Sequence, residues 1–181
     1  LKRPDVMTDR FSLAVVLFRL LFLDHPLEGK RVVEAPCLTE ELELKYYGKD
    51  PIFIYDPTDD SNRPVRGVHS NAIKFWPLYP QFIQNKFITA LSKDAMTGKT
   101  TRMTDNVWQL AFTRLRDTII TCPCGSETFI NVAGDASCIN CGRRIPKPPV
   151  LNCHNHKYGL ALFPGGKMYR CHIDKDSDDF T

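Results

Sequence analysis

The sequence lacks the features of a membrane-spanning or exported chain. Its longest apolar run, Leu13 to Leu23, is interrupted by Arg19 and is shorter than the roughly 20 residues that cross a bilayer. It does not open with a charged segment, an apolar stretch and a small-residue cleavage site. The net charge of +3 in 181 residues argues against a partner held by charge alone, such as nucleic acid or an anionic membrane. We therefore expect a soluble, cytoplasmic protein.

Cysteine is present in an odd number, seven, so the cysteines cannot all pair with one another as disulfides. Four of them form two short pairs, Cys122 with Cys124 and Cys138 with Cys141. In a chain without an export signal, such spacing favours a metal site over a disulfide framework.

The hydrophobic pattern predicts a mainly helical N-terminal part. Apolar residues lie nearly all round a helix over residues 8–23, which predicts a buried central helix capped by Thr8 or Asp9. Further helices are predicted from Thr39 to Tyr47, from Pro80 to Leu91 and from Thr104 to Arg116. Residues 52–55 form a short extended run.

From Ile119 onwards, cysteine, glycine, proline and short β-type runs replace the helical periods. We place the helical region at residues 1–118, a small β-rich zinc ribbon at 119–149 and a further β-rich module at 150–181. Within that module, residues 158–163 and 167–173 are predicted to pair as a hairpin around Pro164-Gly165-Gly166.

The first helix carries an ordered motif in which Asp9, Phe11, Ser12 and Pro26 fall in register. It resembles the central helix of the C-lobe of eukaryotic-type protein kinases, written as Asp-x-aromatic-Ser-x-Gly, an apolar run and Pro-Phe. The family's aspartate accepts backbone N–H bonds from the catalytic loop, and the resemblance implies this role for Asp9. The alternative is that Asp9 caps its own helix.

The motif departs from the family at three positions. Ala14 stands for the usual glycine, Leu27 for phenylalanine and Arg19 for a common glutamate.

A second motif lies before the last predicted helix. Arg102-Met103-Thr104, followed by Trp108, resembles the Arg-Pro-Thr element near the end of the same kinase lobe. The family's arginine pairs with the glutamate of an Ala-Pro-Glu motif, which this chain does not contain. Arg102 is therefore expected to be solvated or to pair with a residue outside this sequence.

The machinery for phosphoryl transfer is missing from the sequence. It has no glycine-rich loop, strand lysine, catalytic-loop Asp and Asn, or Asp-Phe-Gly motif. We therefore name no catalytic residue, and the resemblance implies ATP and magnesium only for the intact protein.

The two cysteine pairs predict a zinc site. Two thiolate-bearing turns, Cys122-Pro123-Cys124-Gly125 and Cys138-Ile139-Asn140-Cys141-Gly142, would form a closed tetrahedral S4 site, which is structural rather than catalytic. The glycines let backbone N–H groups approach the sulfurs. The first pair is separated by one residue where ribbons usually have two, which leaves one ligand open. The possible substitutes are Cys153, His154, His156 and Cys171.

The chain has a kinase-like lobe, then a ribbon, then the run Leu-Phe-Pro-Gly-Gly-Lys-Met-Tyr. This order is similar to that in a group of bacterial eukaryotic-type Ser/Thr kinases. The resemblance implies a signalling protein that transfers phosphate from ATP to protein Ser or Thr. Its implied partners are an N-terminal kinase half, protein substrates and a partner phosphatase.

Two alternatives remain open. One is a pseudokinase scaffold with the ribbon as a docking surface. The other is a nucleic-acid-binding ribbon, which the few candidate residues, Phe129, Arg143, Arg144 and Lys147, do not favour.

Overall fold

A computed structural model describes residues 5–130, 136–177 and 179. The chain divides into two compact units, Leu1–Trp108 and Gln109–Thr181. The first is mainly helical and the second consists of small β-hairpins with a four-cysteine cluster, which confirms the predicted fold class. Across the described ranges, no helix has the length and apolar character needed to cross a membrane.

The helical unit follows the predicted helices closely. Its elements are α1 (Val6–Phe22), α2 (Lys30–Val33), α3 (Glu40–Leu44), a π-helical turn (Lys45–Lys49), α4 (Ser70–Phe75), a 3₁₀ turn (Trp76–Leu78), α5 (Gln81–Ala90), α6 (Lys93–Met96) and α7 (Asp105–Arg116), which continues into the second unit. The predicted helices at 39–47, 80–91 and 104–116 are confirmed by α3 with its π-helical turn, α5 and α7.

Helix α1 begins earlier than predicted. Asp5 is its N-cap, and the Asp5 carboxylate accepts a hydrogen bond from the Thr8 amide at 2.8 Å. The prediction that Thr8 or Asp9 caps this helix is therefore wrong, because Asp5 precedes its first residue and accepts the Thr8 amide. Leu23 ends the helix with a left-handed φ of 58°.

Helix α1 is buried along one stripe rather than all round. Its buried residues are Ala14, Phe18 and Phe22, at the four-residue spacing of one helix face. The Phe18 and Phe22 rings pack against Trp76 and Phe87 in the core of the unit. On the other side Val16 is 52% exposed and Leu20 is 68% exposed, so the prediction of burial on every side is wrong for this chain.

The segment between α3 and α4 is buried without forming a strand. Ile52, Phe53 and Ile54 are nearly inaccessible, yet no strand includes them. The buried Asn62 side chain donates to the carbonyl oxygen of Ile52 at 2.8 Å and to that of Leu27, which follows α1, at 2.9 Å. Residues 52–55 therefore pack as an irregular core segment held by side-chain hydrogen bonds.

The described residues of the C-terminal unit form three two-stranded antiparallel sheets. The pairs are β1 (Ile119–Thr121) with β2 (Glu127–Phe129), β3 (Ala136–Ser137) with β4 (Arg144–Ile145), and β5 (Val150–Cys153) with β6 (Tyr158–Ala161), followed by α8 (Arg170–Ile173). A small core of Ile120, Ile130 and Ala161 joins the sheets, with Ile145 and Val150 packed against it.

The hairpin predicted from residues 158–163 and 167–173 is wrong. Strand β6 pairs instead with β5, and residues 170–173 form α8. The reason is a hydrogen bond within the turn of α8: Nδ1 of His172 accepts the Tyr169 amide at 2.9 Å. This bond joins residues three apart, which suits a helical turn and not an extended strand.

Candidate metal centre

The two cysteine pairs lie in two backbone turns, which we call knuckle 1 (residues 122–125) and knuckle 2 (residues 138–142). Knuckle 1 follows β1 and knuckle 2 follows β3, so the hairpins position both. In knuckle 1, the Cys122 amide donates to the Ser126 carbonyl oxygen, and the Cys122 carbonyl oxygen accepts from the Gly125 amide. In knuckle 2, the Cys138 amide donates to the Arg143 carbonyl oxygen, and the Cys138 carbonyl oxygen accepts from the Gly142 amide.

The glycines are required by the backbone of these turns. Gly125 has a φ of 87° and Gly142 a φ of 70°, in the left-handed region that other residues seldom adopt. The Gly125 amide donates to Cys122 O at 2.8 Å and the Gly142 amide donates to Cys138 O at 2.9 Å. Knuckle 1 closes the same bond with one residue fewer, which accommodates its shorter cysteine spacing.

The four sulfurs converge on one point. The ligand atoms of Cys122, Cys124, Cys138 and Cys141 all lie within 4.8 Å of one another. Two contacts join the knuckles, Cys122 to Cys141 at 3.8 Å and Cys124 to Cys138 at 3.6 Å. Sulfurs placed about 2.3 Å from a zinc ion at the corners of a tetrahedron are about 3.8 Å apart, so the two contacts between the knuckles match the spacing of a zinc site.

The site is partly open to solvent. Cys122 and Cys138 are buried, whereas Cys124 and Cys141 are exposed. The two inter-knuckle contacts therefore each join one buried and one exposed sulfur.

The environment favours thiolates at two of the four positions. Hydrogen bonds from Ser126, first from its backbone amide, lower the pKa of Cys124 to about 6. The backbone amides of Cys141 and Asn140 lower the pKa of Cys138. The Cys124 amide favours the Cys122 thiolate, but burial and hydrogen bonds shared with the other thiols outweigh it and raise the pKa of Cys122 to about 12. Thiolate is the form that binds a metal ion.

The possible substitute ligands lie elsewhere in the C-terminal unit. Cys153 and Cys171 are buried in a cluster with Tyr158, where burial raises the pKa of the Cys153 thiol. His154 Nε2 lies 3.1 Å from the Cys171 carbonyl oxygen, and His156 is exposed in the same turn. Among the described residues, none of these four belongs to the sulfur cluster, so the short first pair leaves no ligand missing.

The residues of the kinase-like motifs lie in the helical unit. Asp9 is exposed in the first turn of α1, and no described group donates a hydrogen bond to its carboxylate. Ser12 is exposed and donates to Thr8 O at 3.1 Å. Trp108 is 2% exposed, with its ring centroid 4.9 Å from that of Phe87.

Arg102 is half-buried and donates its hydrogen bonds to backbone groups. Its guanidinium donates to the carbonyl oxygens of Ala95 at 3.0 Å and Met96 at 2.8 Å, and to that of Met7 in the first turn of α1. The expectation that Arg102 is solvated is therefore wrong, because backbone carbonyls of α6 and α1 accept its hydrogen bonds. Pairing with a residue outside this sequence stays a prediction.

One buried polar pair escaped the sequence analysis. Asp117 and His172 are 55 positions apart, and His172 fell inside a segment predicted to be a strand. No local pattern marks such a pair, because its members meet only when α8 folds against the end of α7.

Comparisons of the chain with protein-family models, with curated proteins and with solved structures find no match.

Proposed function

We propose that this chain is a non-catalytic supporting part of a Ser/Thr protein-kinase-like protein, with a structural zinc ion in its C-terminal unit. The observation that carries the kinase proposal is the hydrogen bond from Arg102 to the Met7 carbonyl oxygen. It joins Arg102 to the first turn of α1, 95 positions earlier in the chain and two residues before Asp9. The Arg102 guanidinium also lies 5.3 Å from the ring centroid of Phe11, a residue of the first motif. A shared resemblance in sequence together with a direct contact is more specific than either motif alone.

The outer face of α1 is consistent with this proposal. Val16 and Leu20 are exposed there, beside a groove of about 200 Å³ lined by Phe11, Val15 and Tyr47, among others. Contiguous exposed apolar residues often mark interaction surfaces. In the kinase lobe this helix is central, so we propose that the catalytic part of the protein covers this face.

The exposed Asp9 carboxylate lies in the first turn of the same helix. Because no described residue donates to it, it remains available to accept backbone N–H bonds from a catalytic loop. The sequence contains none of the kinase motifs that bind ATP and magnesium, so we propose that the intact protein carries out the reaction.

The zinc ion would have a structural role. Four cysteines complete a tetrahedral shell and leave no position for water or substrate. A bound zinc would hold knuckle 1 and knuckle 2 together, in a unit whose described strands are only two to four residues long.

Two measurements test the kinase proposal. Calorimetric titration of this chain with Mg-ATP should show no binding, and the protein encoded by the complete gene should transfer γ-phosphate to Ser or Thr of a generic protein substrate. Tight Mg-ATP binding by this chain alone would contradict the supporting role. A complete protein that folds but transfers no phosphate would favour the pseudokinase scaffold.

A further inference from the structure

We propose that the four-cysteine cluster is a site of oxidative modification, at which a hydroperoxide converts the zinc-binding thiolates into two disulfides that cross between the knuckles and releases the ion. This inference rests on the proposed zinc site.

The first support is the pairing of exposed with buried sulfurs. Cys124 and Cys141 are exposed and can meet a small oxidant, whereas Cys122 and Cys138 are buried. Each exposed sulfur contacts a buried sulfur of the other knuckle, Cys124 with Cys138 at 3.6 Å and Cys141 with Cys122 at 3.8 Å. An accessible thiolate beside a resolving cysteine is the arrangement of a redox-reactive site.

The second support is the short spacing of knuckle 1. Only Pro123 separates Cys122 from Cys124, and the proline ring fixes φ in that link. A disulfide within knuckle 1 would close a small ring and store strain. A disulfide within knuckle 2 would leave Cys122 and Cys124 without any other partner in the cluster. Crossed pairing is therefore the arrangement that uses all four sulfurs without this strain.

The chemistry balances with a hydroperoxide as the oxidant. The exposed thiolate attacks the peroxide oxygen, the O–O bond breaks, and the sulfenic acid forms as the alcohol, or water, leaves. The buried thiolate then attacks the sulfenic sulfur, and water leaves after protonation by solvent. Two hydroperoxides and four protons take up the four electrons of the four thiolates. Zinc keeps its charge and is released, because a disulfide is a poor ligand for it.

The other cysteines provide internal controls. Cys153 is 8% exposed and Cys171 is 1% exposed, so both should remain thiols under the same treatment. Cys37 is exposed and lies outside the cluster, so it would form disulfides between chains. The substitution Cys37→Ser removes that side reaction and leaves the cluster unchanged.

The experiment uses the complete chain carrying Cys37→Ser, with zinc content measured before treatment. Hydrogen peroxide is added in steps, zinc release is followed with a chromogenic chelator, and free thiols are then blocked. Cleavage before aspartate separates the knuckles, since Asp135 lies between them. We expect release of the bound zinc by about two equivalents of peroxide and knuckle peptides that stay joined until they are reduced. Fragmentation between Cys122 and Cys124 should assign the two crossed bonds.

The outcomes separate this inference from the zinc proposal. Protein purified without zinc would contradict the zinc site itself. Protein that contains zinc but retains it under peroxide would contradict only the inference, as would a disulfide between Cys138 and Cys141 with separable knuckle peptides. Oxidation of Cys153 and Cys171 before zinc release would also contradict it.

Discussion

Nε2 of His172 lies 2.9 Å from Oδ2 of Asp117, and neither side chain is exposed to solvent. His172 Nδ1 accepts the Tyr169 amide, so the ring proton is on Nε2 and is donated to the carboxylate. The other oxygen of Asp117 accepts from Arg116 at 3.2 Å. This network ties α8 to the end of α7 across 55 positions of sequence.

Removing the histidine should destabilise the C-terminal unit. His172→Ala leaves a buried carboxylate with one partner fewer, and loss of a hydrogen bond to a charged group costs about 1.5–3 kcal/mol. Hydrogen exchange measured by mass spectrometry on β5 and β6 should report this loss. The control is His156→Asn, at an exposed position with a left-handed φ of 65° that asparagine tolerates. Equal exchange in the two variants would contradict a structural role for the pair.

Removing a zinc ligand should weaken metal binding and loosen the C-terminal unit. Freshly purified protein is expected to contain one zinc per chain, because one cluster of four sulfurs is formed by the described residues. Loss of a supporting residue outside the ligand set already costs 10- to 100-fold in affinity, so Cys124→Ser should cost at least about 100-fold. Competition with a calibrated chelator measures the affinity, and Cys37→Ser is the control.

Chelation should also increase hydrogen exchange around knuckle 1 and knuckle 2, because metal binding is coupled to folding. Protein that contains no metal as purified, or that is unchanged by chelation, would refute the zinc site.

Replacing Arg102 should destabilise the helical unit. Arg102→Met removes donors to three backbone carbonyls, and an unsatisfied buried acceptor costs about 1–3 kcal/mol. Both tryptophans, Trp76 and Trp108, lie in this unit, so their fluorescence during urea unfolding reports its stability. Arg66→Met is the matched control, since Arg66 is exposed. A change of less than about 0.5 kcal/mol for Arg102→Met would argue against the contact with α1.

The ion pairs of Asp50 should make the stability of the helical unit depend on pH. Oδ1 of Asp50 lies 2.6 Å from Lys93 Nζ, and Oδ2 of Asp50 lies 3.0 Å from Arg31 Nη2. The hydrogen bond from Lys93 lowers the pKa of Asp50 from its ordinary value, with the charge of Arg31 contributing. Its stabilisation is therefore complete above the unfolded pKa of about 3.9 and is lost as the pH falls through the folded pKa.

We expect Asp50→Asn to cost about 0.5–1 kcal/mol near pH 7, since both partners are partly solvated, and to cost little near pH 2. Urea unfolding followed by tryptophan fluorescence at several pH values measures the difference. Asp60→Asn, at an exposed position, should show no such convergence. A cost for Asp50→Asn that does not change with pH would contradict the ion pair.

Much of the helical unit was predictable because its signals are local. Pro80 and Thr104 mark the starts of α5 and α7, and the apolar spacing within each helix matches one buried face. The cap of α1 was missed although Asp5 is a preferred capping residue, because Thr8 and Asp9 stand nearer to the apolar run.

The burial of α1 was overestimated for a different reason. An apolar side chain indicates that burial is favourable, but it does not indicate that another part of this chain covers it. Val16 and Leu20 are apolar and exposed, so only the packing of the folded unit distinguishes them from Phe18.

The metal centre was also predictable only in part from the local sequence. Cysteine spacing and the following glycines determined that two knuckles would form, because a left-handed φ after each pair depends only on the local residue type. Whether the short Cys122–Cys124 pair supplies two ligands depends on where β1 and β3 place the turns.

By itself, then, the sequence determined α3, α5 and α7, the order of a helical part before a β-rich part, and two cysteine knuckles, since helix periodicity and turn chemistry act over a few residues. Only the tertiary structure decided that β6 pairs with β5, that Asn62 supports the segment at Ile52, and that His172 meets Asp117. Each of these depends on which distant groups satisfy buried donors and acceptors, and that choice is made by the whole fold.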